Sequence, residues 1–190
     1  MRTTLEPIDP DSRSLSGAAT PLGPPPDAKR TLTRKNVVRT VGDVVVSAPA
    51  LLPALVRPKT SHALREKIML AVSSVNECRY CQWGHAQLAS AQGVSLEEIN
   101  EILGFQSLEA ATSAEAAAIL FAQGYAETGG RADPEAIAIL GSHYSEAEVA
   151  EILAYVRAIT LGNLTGNTID VLLDRIRRLV RDARERRSPR

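Results

Sequence analysis

The sequence predicts an all-α, single-domain helical bundle, and three observations lead there. Aromatic residues are only 4% of the 190, so a core must be assembled from Ala, Leu, Ile and Val, which suits helix packed on helix. From residue 31 onward, apolar side chains recur at helical spacing. No stretch shows the alternating strand, turn, strand pattern of a hairpin. A chain of this length buries a sizeable core without disulfide staples.

Residues 1–30 hold Pro7, Pro10, Pro21, Pro24, Pro25 and Pro26 among Ser, Gly, Thr and Asp. That composition buries too little apolar surface to offset ordering entropy, so a flexible tail is expected, or one that drapes across a partner subunit. The helical domain is expected over residues 31–181, with 182–190 a basic tail. "KNVVRTVGDVVVSAPALLPALV" is β-branched enough to pass for strands. Pro49 and Pro53 interrupt it, so the expectation is a helix, a kink and a short helical segment ending near Pro58.

"SHALREKIMLAVSSV" is a clearer helix. Leu64, Ile68, Ala71, Val72 and Val75 form one apolar stripe, and Met69 and Leu70 extend apolarity to a second side, so burial on most faces is expected. Glu66 shares that second side, an odd location for a carboxylate. Asn76 is a plausible N-cap for a helix carrying Cys78 to Ala91 and ending at Gly93. Ser95 with Glu98 reads as a capping box for a helix closed at Gly104. Residues 113–127 form another, stopped at Gly129-Gly130. Asp133-Pro134 opens residues 134–141. Ser145 with Glu148 caps a helix through Thr160, and a last one runs from about Asn163 to Arg181. The intervening "LGNLTGNTID" reads as a helix junction, with Asn163 and Asn167 alternatively lining a site.

Charge excludes some functions. The 22 basic and 22 acidic residues cancel, so no nucleic acid or anionic membrane is indicated. The arginines after Asp174 suit a solvated helix end. No secretory signal follows Met1-Arg2, and no run approaches the ~18 consecutive apolar residues of a membrane span. A cytoplasmic protein is expected, where a close cysteine pair is catalytic or metal-binding more often than a staple.

Both cysteines lie in "NECRYCQWGH". If residues 77–91 are helical, Cys78, Cys81 and His85 fall within an arc of about 60°. Trp83 points the opposite way, towards core or interface. Cys78 lies near the helix start, where the dipole favours a thiolate, and His85 is placed to accept a proton from Cys81. This is minimal equipment for dithiol–disulfide exchange or peroxide reduction. A zinc site completed by His62 or Glu66 and a pair of inert core cysteines are the competing readings of the spacing alone.

"REKIMLAVSSVNECRYCQWGH" resembles the core motif of the carboxymuconolactone decarboxylase/alkylhydroperoxidase D-like superfamily: a glutamate, eleven residues, then Cys-x-x-Cys-x-x-x-His. Glu66, Cys78, Cys81 and His85 match every spacing. The resemblance implies an all-helical fold in trimers or hexamers. It implies a relay from Glu66 through His85 to Cys81 as the peroxidatic thiol, with Cys78 resolving and more exposed. It further implies hydroperoxide substrates, no bound cofactor or metal, and an external dithiol reductant such as a thioredoxin-like or lipoyl protein. Tyr80 stands where well-known alkylhydroperoxidases carry a histidine; a phenol donates a hydrogen bond but does not relay protons near neutral pH. A packing role for Tyr80 is the other reading. The alternatives are a lactone decarboxylase or related proton-transfer enzyme on the same scaffold, whose members generally lack the paired cysteines, and a non-enzymatic helical module with a structural or sensory dithiol. His62 is expected to make a surface pair with Glu66, and His143 to be exposed in "GSHYS".

Overall fold

A computed structural model describes residues 29–106, 108–109 and 111–187 of the chain. The described residues form seven helices and no strand: α1 (Val37–Ala54), α2 (His62–Val75), α3 (Arg79–Ala91), α4 (Leu96–Gly104), α5 (Ser113–Glu127), α6 (Pro134–Gly141) and α7 (Glu146–Arg187). Residues 1–28 of the expected tail and 188–190 lie outside the described residues.

α2 is the axis of the bundle and packs against α3, α4, α5 and α7. Its expected stripe is buried throughout, and Leu70 on the second side is buried too. Ile68, Leu70 and Val72 meet Ile102 of α4, Ile119 of α5, Leu140 of α6 and Ile152 and Val156 of α7 in one core. Ser61 caps α2 by accepting from the Leu64 N–H at 3.0 Å. Just before it, the buried Glu151 of α7 accepts from the Lys59 and Thr60 N–H groups and from the hydroxyls of Thr60 and Tyr155. This knot fixes where α2 enters the bundle, and hence where Glu66 lies.

Four expectations are corrected. α1 is one helix rather than two, with Pro49 and Pro53 inside it. Both prolines lie on exposed turns, where the lost N–H bonds leave carbonyls open to water. α7 is one helix of 42 residues with no junction at "LGNLTGNTID", and it continues through Arg187. Asn76 ends α2 instead of opening α3, and Cys78 occupies the N-cap position. At α4, Ser95 accepts from the Glu98 N–H, but the Glu98 carboxylate pairs with Lys67 instead of closing a box. A complete box occurs at Thr112 and Glu115, which opens α5, and Ser145 with Glu148 form the expected one at α7.

α1 buries Thr40, Ser47 and Ala54 and lies along α7. Its opposite side carries exposed Val38, Val45 and Leu52. Taken by length and mean hydropathy, α1 is apolar enough to cross a membrane; Arg39 and Asp43 interrupt it, which is why uninterrupted apolar runs did not reveal it. Beyond Asp170, α7 projects with Leu172, Ile176 and Leu179 exposed.

Candidate active site

The site begins with a turn. α2 ends at Asn76, and Glu77 adopts a left-handed conformation at φ 55°. The Cys78 N–H donates to the Ser73 carbonyl at 3.1 Å and the Glu77 N–H to Ser74 at 3.2 Å. These two bonds are a Schellman motif with glutamate where glycine is usual. The motif reverses the chain within two residues and delivers Cys78 to the start of α3. No side chain caps that start, so the first-turn N–H groups of α3 are left for the sulfur. Glu77 is the residue whose role the sequence hid, since no glycine marks the turn.

Cys78 and Cys81 are joined as a disulfide. Cys78 is 1% exposed, whereas Cys81 is partly open. The expectation that Cys78 is the more exposed sulfur is therefore corrected: leaving α2 through a tight turn tucks it under α7. There Gly166 faces the pair, and a Cβ on it would stand 3.4 Å from the Cys78 sulfur and 3.9 Å from the Cys81 sulfur. A glycine inside "LGNLTGNTID" thus brings the helix backbone up to the disulfide rather than breaking the helix. Asn167 reinforces the approach, its amide donating to the Asn76 carbonyl at 2.7 Å and to the Arg30 carbonyl at 3.0 Å. The buried Asn163 accepts from the Ser73 hydroxyl at 3.2 Å. Both asparagines serve the wall behind the cysteine turn.

Glu66 is 2% exposed, and its Oε2 is 2.7 Å from Nδ1 of His85. Oε1 accepts from Nε of Arg65 at 2.9 Å, with Nη2 at 2.8 Å. Burial pushes the carboxyl pKa up, but the bonds from His85 and Arg65 outweigh it and hold Glu66 below the usual carboxylate range. It is ionised at neutral pH. With Nδ1 committed to Glu66, Nε2 is the nitrogen left for proton exchange, one helical turn beyond Cys81. Arg65 was missed in the sequence, though it adjoins Glu66; a guanidinium held in reach of a carboxylate is a positioning group.

The other singled-out residues fall as follows. Tyr80 is 49% exposed, accepts from Arg79 Nη2 at 3.0 Å and lies under that guanidinium at 4.8 Å. Arg79 also pairs with Asp170 at 3.5 Å. Trp83 is 38% exposed, so it is not a core residue. His62 and His143 are exposed, and the bonds of Glu66 go to Arg65 and His85 rather than to His62. Among the described residues no group of three or more His, Cys, Asp and Glu side chains is arranged to hold a metal ion. In this form both sulfurs are committed to each other.

Residues 50–124 match the model of the carboxymuconolactone decarboxylase family. All four residues of the carboxymuconolactone decarboxylase-like motif lie in the matched segment, on α2 and α3. A crystal structure of a protein of unknown function from Agrobacterium tumefaciens, described as a candidate antioxidant defence protein AhpD, superposes with a TM-score of 0.52 at 23% identity, covering 72% of this chain and 91% of that one. That likeness is one of fold. No curated protein matches significantly.

Proposed function

We propose that this carboxymuconolactone decarboxylase-like chain is a thiol-dependent peroxidase that reduces organic hydroperoxides, or a partner's disulfide, at Cys81 and Cys78. The observation that carries this reading is the buried, ionised Glu66 bonded to His85 one turn from a sulfur pair. A decarboxylase has no use for the thiols, and a structural staple has no use for the relay.

The chemistry follows from which atoms are reachable. In the dithiol form, His85 takes the Cys81 proton, and the Glu66 carboxylate stabilises the resulting imidazolium. The Cys81 thiolate attacks the terminal oxygen of ROOH; the O–O bond breaks, and the alkoxide takes the proton from His85 to leave as ROH. The sulfenic acid on Cys81 is then attacked by the Cys78 sulfur, forming the disulfide and releasing water. A dithiol such as a thioredoxin-like or lipoyl protein completes the cycle. Its thiolate attacks the open Cys81 sulfur, and Cys78 departs as a thiolate favoured by the N-terminus of α3. The second external thiol resolves the mixed disulfide, so one dithiol is oxidised per peroxide reduced. Tyr80, exposed and stacked with Arg79, belongs to the docking face rather than to the relay.

The assembly inferred is a homo-oligomer, a trimer or hexamer. It is supported by Val38, Val45 and Leu52 on α1 and by Leu172, Ile176 and Leu179 on α7, large apolar side chains left open to water. A cytoplasmic location fits the reducing partner. The test is reductant-coupled consumption of cumene hydroperoxide: turnover that vanishes in Cys81→Ser supports the proposal. Lactone turnover that survives thiol alkylation would replace it with the decarboxylase reading, and an intact fold with neither activity with the non-enzymatic one.

A further inference from the structure

A second concave site lies beside the cysteine turn, away from the sulfurs. It is a cavity of about 190 Å³ lined by Arg30, Thr31, Thr33, Asn36, Arg39 and Asn76, and closed by the end of α5 and by Thr160 and Leu164 of α7. The disulfide rests on Gly166, which at about 100° per residue lies on a different side of α7 from Thr160 and Leu164. The cavity therefore meets a different side of α7 from the disulfide.

Its lining has one chemical character. Two arginines, two asparagines and three threonines line it, and among the described residues no aspartate or glutamate does. Arg30 donates to the Ala126 and Glu127 carbonyls and Arg39 to the Gly129 carbonyl, at the end of α5. Each guanidinium carries five N–H donors, so these bonds fix both groups in place and leave donors over. Asn36 is satisfied locally, accepting from the Thr33 N–H and donating to the Thr31 carbonyl. Asn76 is not: it is 2% exposed, and its Nδ2 has no hydrogen-bond partner. A buried amide donor left over beside two cations is a vacancy for an acceptor.

We propose that this cavity binds a compact anion, a carboxylate or phosphate group, held by Arg30, Arg39 and the Asn76 amide. Planar or tetrahedral oxyanions suit paired guanidiniums, which donate in parallel. Asn76 lies two residues before Cys78, and its carbonyl is held by Asn167, so an occupant braces the turn that carries the buried sulfur. The peroxidase reading is not needed for this inference.

The test uses the full chain in its disulfide form. Calorimetry and thermal melts are run with inorganic phosphate, acetate and phenyl phosphate, against chloride at matched ionic strength. Phenyl phosphate separates a free anion from one pendant on a larger body. Wild type is compared with Arg39→Gln and with Arg34→Gln, an exposed arginine outside the lining that controls for lost charge. The expected result is saturable binding in wild type and Arg34→Gln, weakened about tenfold or more in Arg39→Gln. Absence of saturable binding up to about 10 mM, or equal binding in Arg39→Gln, would overturn the proposal.

Discussion

Replacing Glu66 by glutamine keeps the shape at the centre of the relay and removes its charge. The carboxylate is buried and its Oε2 is 2.7 Å from His85 Nδ1. Once His85 is protonated, two unit charges centred about 4 Å apart attract by about 4 kcal/mol at an effective dielectric near 20. The imidazole keeps 18% of its surface in water, so the usable part is roughly 2–4 kcal/mol. At about 1.4 kcal/mol per factor of ten, the variant should turn over hydroperoxide roughly 30- to 700-fold more slowly, reaching into the ~10²–10⁴ range of acid–base groups. The assay is reductant-coupled peroxide consumption, with circular dichroism confirming the fold. The alkylation rate of reduced Cys81, followed against pH, should lose its thiolate plateau near neutrality. Wild-type turnover in Glu66→Gln, alongside a dead Cys81→Ser, would refute the relay while leaving the thiol chemistry standing.

The two sulfurs should also differ in reach. Iodoacetamide should modify Cys81 in Cys78→Ser about tenfold or more faster than it modifies Cys78 in Cys81→Ser; equal rates would contradict the burial of Cys78. Glu151→Leu removes the acceptor of four donors at the entry to α2, and should cost about 2–4 kcal/mol in denaturant unfolding; a loss within error would mean the knot is dispensable. The pH dependence has a definite sign. Burial raises the carboxyls of Glu66, Glu115 and Glu151, but bonds from His85, Lys67 and Thr60 bring all three below the usual carboxylate range, and Lys29 lowers Asp170. Glu77, raised by burial, works the other way. Lowered carboxyls stabilise the fold above the unfolded value and lose that contribution as pH falls through the folded one. The melting temperature should therefore be level from about pH 8 to 5 and fall below about 4.5; a rise on acidification would contradict it. Gly166→Ala should be tolerated, its methyl reaching ordinary contact with the Cys78 sulfur, whereas Gly166→Leu should lower both melting temperature and turnover.

What the sequence disclosed and what it concealed have separate physical causes. Glu66, Cys78, Cys81 and His85 could be read because one short connection joins two adjacent helices, so their spacing nearly determines their meeting. The apolar stripe of α2 was equally plain, being periodic over four turns. The breaks expected in α1 and α7 came from treating proline and glycine as punctuation. In α1 the prolines sit on turns that water satisfies; in α7 the glycine answers to sulfur atoms more than eighty residues away in the chain. The turn at Glu77 was hidden for the converse reason, since its left-handed backbone is carried by a residue type that does not advertise it. Asn167 acts through partners far away in the chain, which no local pattern announces; Arg65 acts on its own neighbour Glu66, but an Arg-Glu pair inside a helix reads as an ordinary surface couple.

The rod that shields the sulfurs does not stop at them. From Gly166 the same unbroken helix runs on past Asp170 for seventeen residues to Arg187, a lever of about 25 Å. Any grip on its far end that tilts or rotates it would be transmitted along a stiff shaft to the backstop of the disulfide.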